Sequence, residues 1–280
     1  MTRTTAPFGR RPAVVTAREE HGAYVVIRAC DADGPVPRAG QFSMLSAAER
    51  WGGGEGERPF LPRAFSVLRA RAGELHFLIE DVGPGTNRLC ELGRGDRLNL
   101  VGPLGNGFAP PREGGRPILV GGGVGIAPLA IWQDELRAGG TESPVLLGFR
   151  DAAHVHGAAL LTNPTVATDD GSVGHHGLVT DLLEDELDGR ADEAEVYACG
   201  PPAMLEAVRE LCAERDVPAQ LALESGMACG FGACFGCVVP TVDGYVRLCV
   251  DGPVMEAAAL ADASSVGSSA DAELRGAGRR

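Results

Sequence analysis

The sequence lacks the features that mark secreted, membrane-spanning and nucleic-acid-binding proteins. Its first residues, MTRTTAPFGRRP, contain arginines but no apolar segment of the kind that a secretory signal requires. The longest apolar stretch, 118–132, is interrupted by four glycines and is too short to cross a bilayer. A formal net charge of −13 disfavours nucleic acid and anionic membranes as partners. We therefore expect a cytoplasmic protein.

The composition is that of a globular chain. Its 280 residues are 44% hydrophobic and 22% charged, which is enough for two ordinary domains and a small addition. We place the boundaries where the pattern of the sequence changes. The predicted units are 1–112, 113–222 and 223–256, followed by a frayed tail at 257–280, and the segment 52–58 is predicted to be an exposed loop.

The most informative segment is rich in glycine and lies near the carboxyl end. Cys229, Cys234 and Cys237 form a C-x4-C-x2-C array, and Cys249 follows after a segment with the pattern of a hairpin. This order is the plant-ferredoxin ligand spacing for a 2Fe–2S cluster, although the last gap is much shorter here. A structural zinc normally takes two C-x2-C pairs and this segment has one, while eight cysteines without a secretory signal argue against disulfides. We predict a 2Fe–2S cluster, with zinc as the alternative.

Short alternating segments dominate the first third of the chain. Strands are predicted at 23–29, 41–46, 74–79 and 97–101 without a long helix, a pattern typical of a small antiparallel barrel. Two motifs here have the chemistry of an anion site. In Arg63-Ala64-Phe65-Ser66 the guanidinium suits a pyrophosphate and Ser66 can donate to the same oxygens, but an arginine in a strand is more often solvated. In Gly83-Pro84-Gly85-Thr86 we expect Thr86 to cap a short helix with free N–H groups, or simply a turn.

The middle of the chain alternates strands and helices. Strands are predicted at 117–120, 144–149, 163–169 and 194–198, and helices at 129–137, 177–187 and 202–214. This order predicts a parallel sheet that binds ligands at the carboxyl ends of its strands. GGGVGIAP and CGPP follow two of these strands, as in a dinucleotide-binding domain, although the G-x-G-x-x-G fingerprint is absent.

The other histidines and cysteines carry weaker signals. We interpret His154, His156, His175 and His176 as solvated surface rather than metal ligands. Cys30, Cys90 and Cys212 are interpreted as small buried hydrophobes. Cys199, at a strand end, is either a packing residue or part of a ligand site.

Taken in order, these motifs resemble the ferredoxin–NADP reductase superfamily. Within it, the chain is similar to the electron-transfer subunits of class 1B dihydroorotate dehydrogenases. The likeness covers about 13–254 and is carried by the two barrel motifs, GPLGNGF, GGGVGIAPL, YACGPPAM, the cysteine array and CVDGPVM. It implies an FAD-binding barrel, an NAD-binding α/β domain and a C-terminal 2Fe–2S domain.

The resemblance also implies site residues. For FAD they are Arg63, Ala64, Phe65, Ser66, Leu78, Ile79, Glu80, Gly85 and Thr86. For NAD they are Gly121, Gly122, Gly123, Gly125, Ala127, Pro128, Cys199, Gly200, Pro201 and Met204. For the cluster they are Cys229, Cys234, Cys237 and Cys249. The chain departs from the family at Ala64, where proline is usual, at Glu80, where arginine is frequent, and in the loosely matching segment 151–176.

The implied function is electron transfer in pyrimidine biosynthesis. A partner subunit with FMN oxidises dihydroorotate, and this chain passes the electrons through 2Fe–2S and FAD to NAD+; the expected assembly is a heterotetramer with two copies of each subunit. No residue of this chain is expected to act as an acid or base on dihydroorotate. The alternatives are a related NAD(P)H:ferredoxin or sulfide reductase subunit, and a non-catalytic iron–sulfur redox sensor. The choice between NAD and NADP stays open, because Arg150 has the chemistry for a 2′-phosphate but equally suits the surface.

Overall fold

The computed structural model describes residues 9–52 and 59–261. Most of the loop predicted at 52–58 and the predicted tail beyond residue 261 therefore lie outside the described residues. The first residues after Glu256 are ordered, since Ala257–Ala259 form a 3-10 turn and Ala257 is buried. No helix within 9–52 and 59–261 has the length and apolar character needed to cross a membrane.

The first part of the chain is a closed antiparallel barrel, as predicted. Its strands are β1 (Arg11–His21), β2 (Tyr24–Cys30), β3 (Phe42–Ala47), β4 (Arg63–Arg71), β5 (Glu74–Glu80) and β6 (Arg97–Leu104). The strand order is β1-β2-β5-β4-β3-β6, and β6 pairs back to β1, so the barrel has no free edge. A short helix, α1 (Pro84–Cys90), follows β5.

Strand β1 was not predicted as such, because its second half does not alternate. Only its first half places apolar side chains in the core, among them Ala13 and Val15, and the rest is a mostly exposed charged run. Barrel closure specifies this strand through its pairing with β2 and β6. Cys30, predicted to be buried, is instead exposed at the end of β2, whereas Cys90 and Cys212 are buried as expected.

The second part is a largely parallel sheet flanked by helices, which confirms the α/β prediction. The strands are β7 (Arg116–Gly122), β8 (Val145–Phe149), β9 (Pro164–Thr168), β10 (His175–His176), β11 (Ala194–Cys199) and β12 (Ala219–Ala222). The helices are α2 (Ile126–Ala138), α3 (Ala152–Val155), α4 (Val179–Leu187) and α5 (Pro202–Glu214). The buried strands β7 and β11 form the centre of the sheet, so the loops that follow them meet at one edge.

The cysteine segment leaves this sheet and returns to it. It contains the hairpin of β13 (Val238–Thr241) and β14 (Gly244–Arg247), as the sequence predicted, and ends in β15 (Val254–Glu256). Strand β15 pairs antiparallel with β12 and completes the order β10-β9-β8-β7-β11-β12-β15. Asn106, in the GPLGNGF connection, donates its side-chain amide to the carbonyl of Asp251 at 2.9 Å. The connection therefore ties the barrel to the cysteine segment.

The three parts share packed interfaces. Phe42 and Met44 of the barrel belong to the same apolar cluster as Cys237 and Cys249. On the other side, α2 packs on β4, where Arg69 Nε donates to Asp134 Oδ2 at 2.8 Å. Because barrel, sheet and cysteine segment all meet, clefts between them are enclosed from three directions.

Candidate cofactor, dinucleotide and cluster sites

The first cavity lies where the three parts of the chain meet. It has a volume of about 290 Å³. The barrel side of its lining is Phe42, Ala64, Phe65, Ser66, Leu78, Glu80, Val82 and Thr86. The other side is Val124, Ala127, Leu223, Glu224, Ser225, Met227 and Pro253. Most of the residues that the sequence assigned to FAD are therefore neighbours in space, although Ile79 is buried in the barrel core instead.

Arg63 stands beside this cavity and against the glycine turn. Its Nη1 donates to the carbonyl of Leu61 at 2.6 Å, and its guanidinium lies 6.0 Å from the centroid of the Trp51 ring. A Cβ on Gly85 would lie only 2.7 Å from Arg63 Nε. The absence of a side chain at Gly85 thus lets the guanidinium approach the start of α1, which brings the two barrel motifs together.

Thr86 does not cap the helix in the way the sequence suggested. Helix α1 begins at Pro84, which suits the first helical position because it needs no N–H there, and Gly83 is the N-cap. The hydroxyl oxygen of Thr86 accepts from the backbone N–H groups of Val82 and Gly83, both at 2.9 Å. The side chain therefore fixes the turn that precedes the helix.

The polar lining of the first cavity fits a flavin. The hydroxyl of Ser225 is buried at the cavity and has no partner among the described residues, so it is available to bond a polar group in the cavity. Desolvation raises the pKa of the Glu224 carboxyl, which faces the same space. The sequence reasoning missed both residues, because they reach the cavity only through the packing of the cysteine segment on the barrel.

The second cavity opens at the carboxyl ends of the central strands. Its volume is about 450 Å³, and it is lined by Tyr24, Glu80, Gly122, Gly123, Gly148, Phe149, Arg150, His154, Asp169, Leu178, Val179, Thr180, Pro201, Ala203, Met204 and Ala207. The buried hydroxyl of Tyr24 has no partner among the described residues. This mainly apolar lining with a few polar groups suits a ligand that combines an aromatic ring with charged groups, such as a dinucleotide.

The GGGVG turn and the CGPP loop approach each other closely at this edge. A Cβ on Gly125 would lie 2.4 Å from the carbonyl oxygen of Cys199, and one on Gly200 would lie 3.1 Å from the backbone nitrogen of Gly122. Gly123 has φ +53°, at the start of the 3-10 turn that leads into α2. Only residues without side chains permit this contact between the two loops.

The remaining residues assigned to NAD either pack beneath the loops at the carboxyl ends of the strands or line the first cavity. Gly121 packs under Leu129 and Leu147, Pro128 is buried in the first turn of α2, and Ala127 lines the first cavity. Burial raises the pKa of the Cys199 thiol well above its ordinary value. Cys199 is buried at the junction of the two loops, which favours its interpretation as a packing residue.

We expect Gly122→Ala to weaken dinucleotide binding about tenfold, since overpacking of this kind typically costs 1–3 kcal/mol. The new methyl group would lie 2.6 Å from Met204 Sδ and 2.9 Å from Pro201 Cδ, and both of these residues line the second cavity, so relief of the contact changes that lining. Titration of the variant with NADH measures the effect. Flavin content is the internal control, because Gly122 does not line the first cavity. Unchanged NADH affinity would argue that the second cavity is not the dinucleotide site.

The four predicted cysteines come together in two pairs. Cys237 Sγ and Cys249 Sγ are buried and 3.2 Å apart. The sulfur of Cys229 accepts a hydrogen bond from the backbone N–H of Ala233 at 3.3 Å. The side chains of Cys229 and Cys234 are also hydrogen-bonded to each other. Burial opposes ionisation of Cys229, but N–H donors of the loop and Cys234 outweigh it and lower its pKa to about 6. The Cys229 end of the loop thus favours a thiolate, whereas burial and the neighbouring Cys237 raise the pKa of Cys249 to about 12.

Glycines with positive φ shape this loop. Gly230 has φ +80° and Gly232 has φ +87°, values that side chains disfavour. A Cβ on Gly230 would lie 2.5 Å from Cγ of Met44, which belongs to the barrel. The cysteine loop is therefore both tightly turned and pressed onto the barrel.

The chemistry of the four thiol donors bears on the two metal hypotheses. Within 9–52 and 59–261, no three Cys, His, Asp or Glu side chains are grouped as a metal ion would require. A tetrahedral zinc needs four ligands around one ion, whereas a 2Fe–2S cluster takes two thiolates on each of two irons. The donor set fits the two-iron cluster.

One polar network at the second cavity was not predicted. His154 was predicted to be a solvated surface residue, but it is buried. Helix α3 turns it toward the barrel, where its ring packs edge-on against Tyr24 with 5.5 Å between the ring centroids. Arg150 Nη2 donates to Glu80 Oε1 at 2.7 Å. Since Glu80 ends β5 and Arg150 follows β8, this ion pair joins the barrel to the sheet. No sequence pattern indicated this ion pair beyond the unusual glutamate at position 80.

Comparisons with known families agree with this arrangement. Residues 224–261 match the family described as the iron–sulfur cluster binding domain of dihydroorotate dehydrogenase B, and residues 119–210 match the oxidoreductase NAD-binding domain. The chain is similar to a protein of Caldanaerobacter subterraneus named dihydroorotate dehydrogenase B (NAD(+)), electron transfer subunit. The two are 39% identical over 226 residues, which cover 79% of this chain and 86% of the relative. A protein of Bacillus caldolyticus with the same name is 41% identical over 211 residues, which cover 71% and 79% of the two chains.

Solved structures show the same architecture. A structure of an NADH-dependent reduced ferredoxin-NADP oxidoreductase, described in work on flavin-based electron bifurcation, matches with a TM-score of 0.75, 25% identity and 91% coverage of both chains. A ferredoxin NADP+ reductase of Neisseria gonorrhoeae, solved with bound FAD and NADP, matches with a TM-score of 0.58 at 20% identity. That match covers 74% of this chain and 91% of the other.

Proposed function

The chain belongs to the family of dihydroorotate dehydrogenase B electron transfer subunits, and from this premise we propose the route that its electrons take. A catalytic partner subunit oxidises dihydroorotate with FMN and delivers electrons to the 2Fe–2S cluster of this chain. The residues of the first cavity would hold FAD and those of the second would hold NAD+, so the flavin would supply the link between the cluster and the dinucleotide. FAD supplies the chemistry that joins the one-electron cluster to the two-electron dinucleotide.

One observation carries this proposal. The first cavity is lined by the barrel, by the turn into α2 and by the cysteine segment, while Glu80 lines both cavities. A flavin there stands between the cluster and the dinucleotide, which is the order that one-electron and two-electron carriers require.

The residues of the chain have separate tasks in this scheme. We propose that Arg63 binds the flavin pyrophosphate and that Ser66 and Ser225 donate hydrogen bonds to it. Cys229, Cys234, Cys237 and Cys249 are the cluster ligands. Gly122 and Gly123 allow the dinucleotide close to the strand ends. No side chain here acts on dihydroorotate, whose chemistry belongs to the partner.

The partner is proposed to dock over the cysteine segment. Phe231 and Phe235 are large apolar side chains of that segment and are 57% and 63% exposed. Arg247 lies over the Phe235 ring at 5.1 Å from its centroid and donates to the carbonyl of Gly232. A partner surface on these side chains brings its FMN near the cluster, and we propose two copies of each subunit in the assembly.

The test is copurification followed by anaerobic reduction. Coexpressed with an FMN-containing dihydroorotate-oxidising subunit, the chain is expected to form a stable complex in which dihydroorotate bleaches the iron–sulfur absorption and reduces NAD+. The chain alone, carrying FAD and 2Fe–2S, is expected to show NADH-dependent dye reduction. Complex formation with a ferredoxin or a sulfide-reducing subunit, without bleaching by dihydroorotate, would favour a related reductase instead. A bound cluster without dye reduction would favour a redox sensor.

A further inference from the structure

The ion pair at the rim of the second cavity occupies the position of a ligand-binding group. Arg150 is 62% exposed in its side chain and Glu80 is 19% exposed, with 2.7 Å between Nη2 and Oε1. Both side chains line the cavity that opens over the GGGVG turn. The guanidinium therefore faces the cavity while one of its amino groups is bound to a carboxylate of the barrel.

His154 holds the same Nε/Nη2 edge of the guanidinium from the sheet side, and its Nε2 also lies 3.3 Å from Glu80 Oε1. Arg150 Nε donates to His154 Nε2 at 3.0 Å. His154 Nδ1 then directs its hydrogen to Asp151 Oδ1, 2.6 Å away, and Asp151 caps α3 through the backbone N–H groups of Ala153 and His154. His154 can therefore keep its contact to Arg150 if the bond to Glu80 is broken.

The charge balance of the cavity makes this arginine significant. All 25 basic side chains of the protein are arginines, and Arg150 is the one arginine among the residues that line the second cavity. The lining also carries the carboxylates of Glu80 and Asp169. A dinucleotide brings a doubly charged pyrophosphate, and guanidinium groups bind phosphates in a bidentate manner. Glu80 is thus already paired with Arg150, the permanently charged group to which an incoming phosphate is attracted.

We propose that Glu80 competes with the dinucleotide for Arg150 and thereby sets how fast the dinucleotide leaves. The proposal rests on the assignment of the second cavity to NAD. When phosphates enter, Arg150 exchanges the Glu80 carboxylate for a phosphate oxygen and keeps its contact to His154. When the dinucleotide leaves, the ion pair to Glu80 forms again. Glu80 is therefore a positioning residue that controls release through Arg150.

The test is a double-mutant cycle on the purified protein with its flavin and cluster. Glu80→Gln keeps the size of the side chain and removes its charge, so affinity for NAD+ and for ADP-ribose is expected to rise roughly three- to tenfold, mainly through slower release. Arg150→Gln is expected to lower both affinities about tenfold. The double variant is expected to match Arg150→Gln, because without the arginine there is nothing to compete for. Calorimetry gives the affinities and stopped-flow displacement gives the release rates.

A matched control separates competition from general charge effects. Glu20→Gln removes the same charge from an exposed ion pair with Arg18 on the barrel and is expected to leave both affinities unchanged. Flavin absorption, measured for every variant, reports any change at the first cavity, which Glu80 also lines.

The outcomes distinguish this proposal from the function it rests on. Unchanged or weaker NAD+ binding in Glu80→Gln overturns the competition. An equal gain in affinity from Glu80→Gln with Arg150 present and with Arg150 replaced also overturns it, because that result indicates simple repulsion of the dinucleotide by Glu80. In both cases NAD+ still binds and the proposed function stands. If the unmodified protein binds neither NAD+ nor ADP-ribose, the proposed function fails first.

Discussion

Replacing Cys249 with serine is expected to remove the visible absorption of the iron–sulfur cluster while leaving bound flavin. Cys249 Sγ is buried 3.2 Å from Cys237 Sγ, between the β13–β14 hairpin and the barrel. A serine hydroxyl is a much harder ligand than a thiolate and does not replace it for iron–sulfur clusters. We expect an iron content near zero, measured together with flavin by absorption and metal analysis.

Cys30→Ser is the matched control for this experiment. Cys30 is exposed at the end of β2. Its replacement makes the same exchange of sulfur for oxygen at a position outside both cavities and outside the cysteine loop. Its iron and flavin contents are expected to equal those of the unmodified protein. An unchanged iron spectrum in Cys249→Ser would refute the proposed ligand set, and zinc in the unmodified protein would refute the cluster.

Replacing Arg63 with alanine is expected to lower FAD affinity by about tenfold to a hundredfold, because a hydrogen bond to a charged group contributes roughly 1.5–3 kcal/mol. The guanidinium lies against Gly85 and near the Trp51 ring, so it is already placed beside the first cavity before a ligand enters. The expected result is a protein purified with little flavin but with its cluster intact. Flavin content after gel filtration and a titration with FAD measure the loss.

Arg71→Ala is a suitable control for Arg63→Ala. Arg71 is an exposed arginine at the other end of β4, where it pairs with Asp134. Both substitutions remove one positive charge from the same strand, but only Arg63 adjoins the first cavity. Normal flavin retention in Arg63→Ala would contradict its role at the pyrophosphate.

The sequence was most informative where covalent chemistry or backbone geometry restricts the choice of residue. Cluster ligation demands cysteines at fixed spacing, so Cys229, Cys234 and Cys237 were recognisable from their order alone. The alternation of apolar strands with helices likewise predicted an α/β unit, and the helix predicted at 202–214 has the bounds of α5. These signals are local, and each lies within a few consecutive residues.

The sequence was less informative where a residue acts through a distant part of the chain. Strand β1 carries too many charges to be predicted from its own pattern, and barrel closure specifies it. His154 was interpreted as surface because nothing near it in the chain indicates that α3 turns it against Tyr24. The turn at Thr86 was predicted, but its hydrogen bonds were not.

By itself, the sequence predicted the cluster from a contiguous cysteine motif, and the resemblance carried by its ordered motifs implied the flavin barrel and the dinucleotide sheet. Only the tertiary structure decided that Glu80 faces both cavities and binds Arg150, two residues 70 positions apart in the chain. The same holds for Ser225, which reaches the flavin cavity through the packing of the cysteine segment on β3 and β6. Contacts of this kind arise from how the barrel, sheet and cysteine segment pack together, and no local pattern of residues specifies that packing.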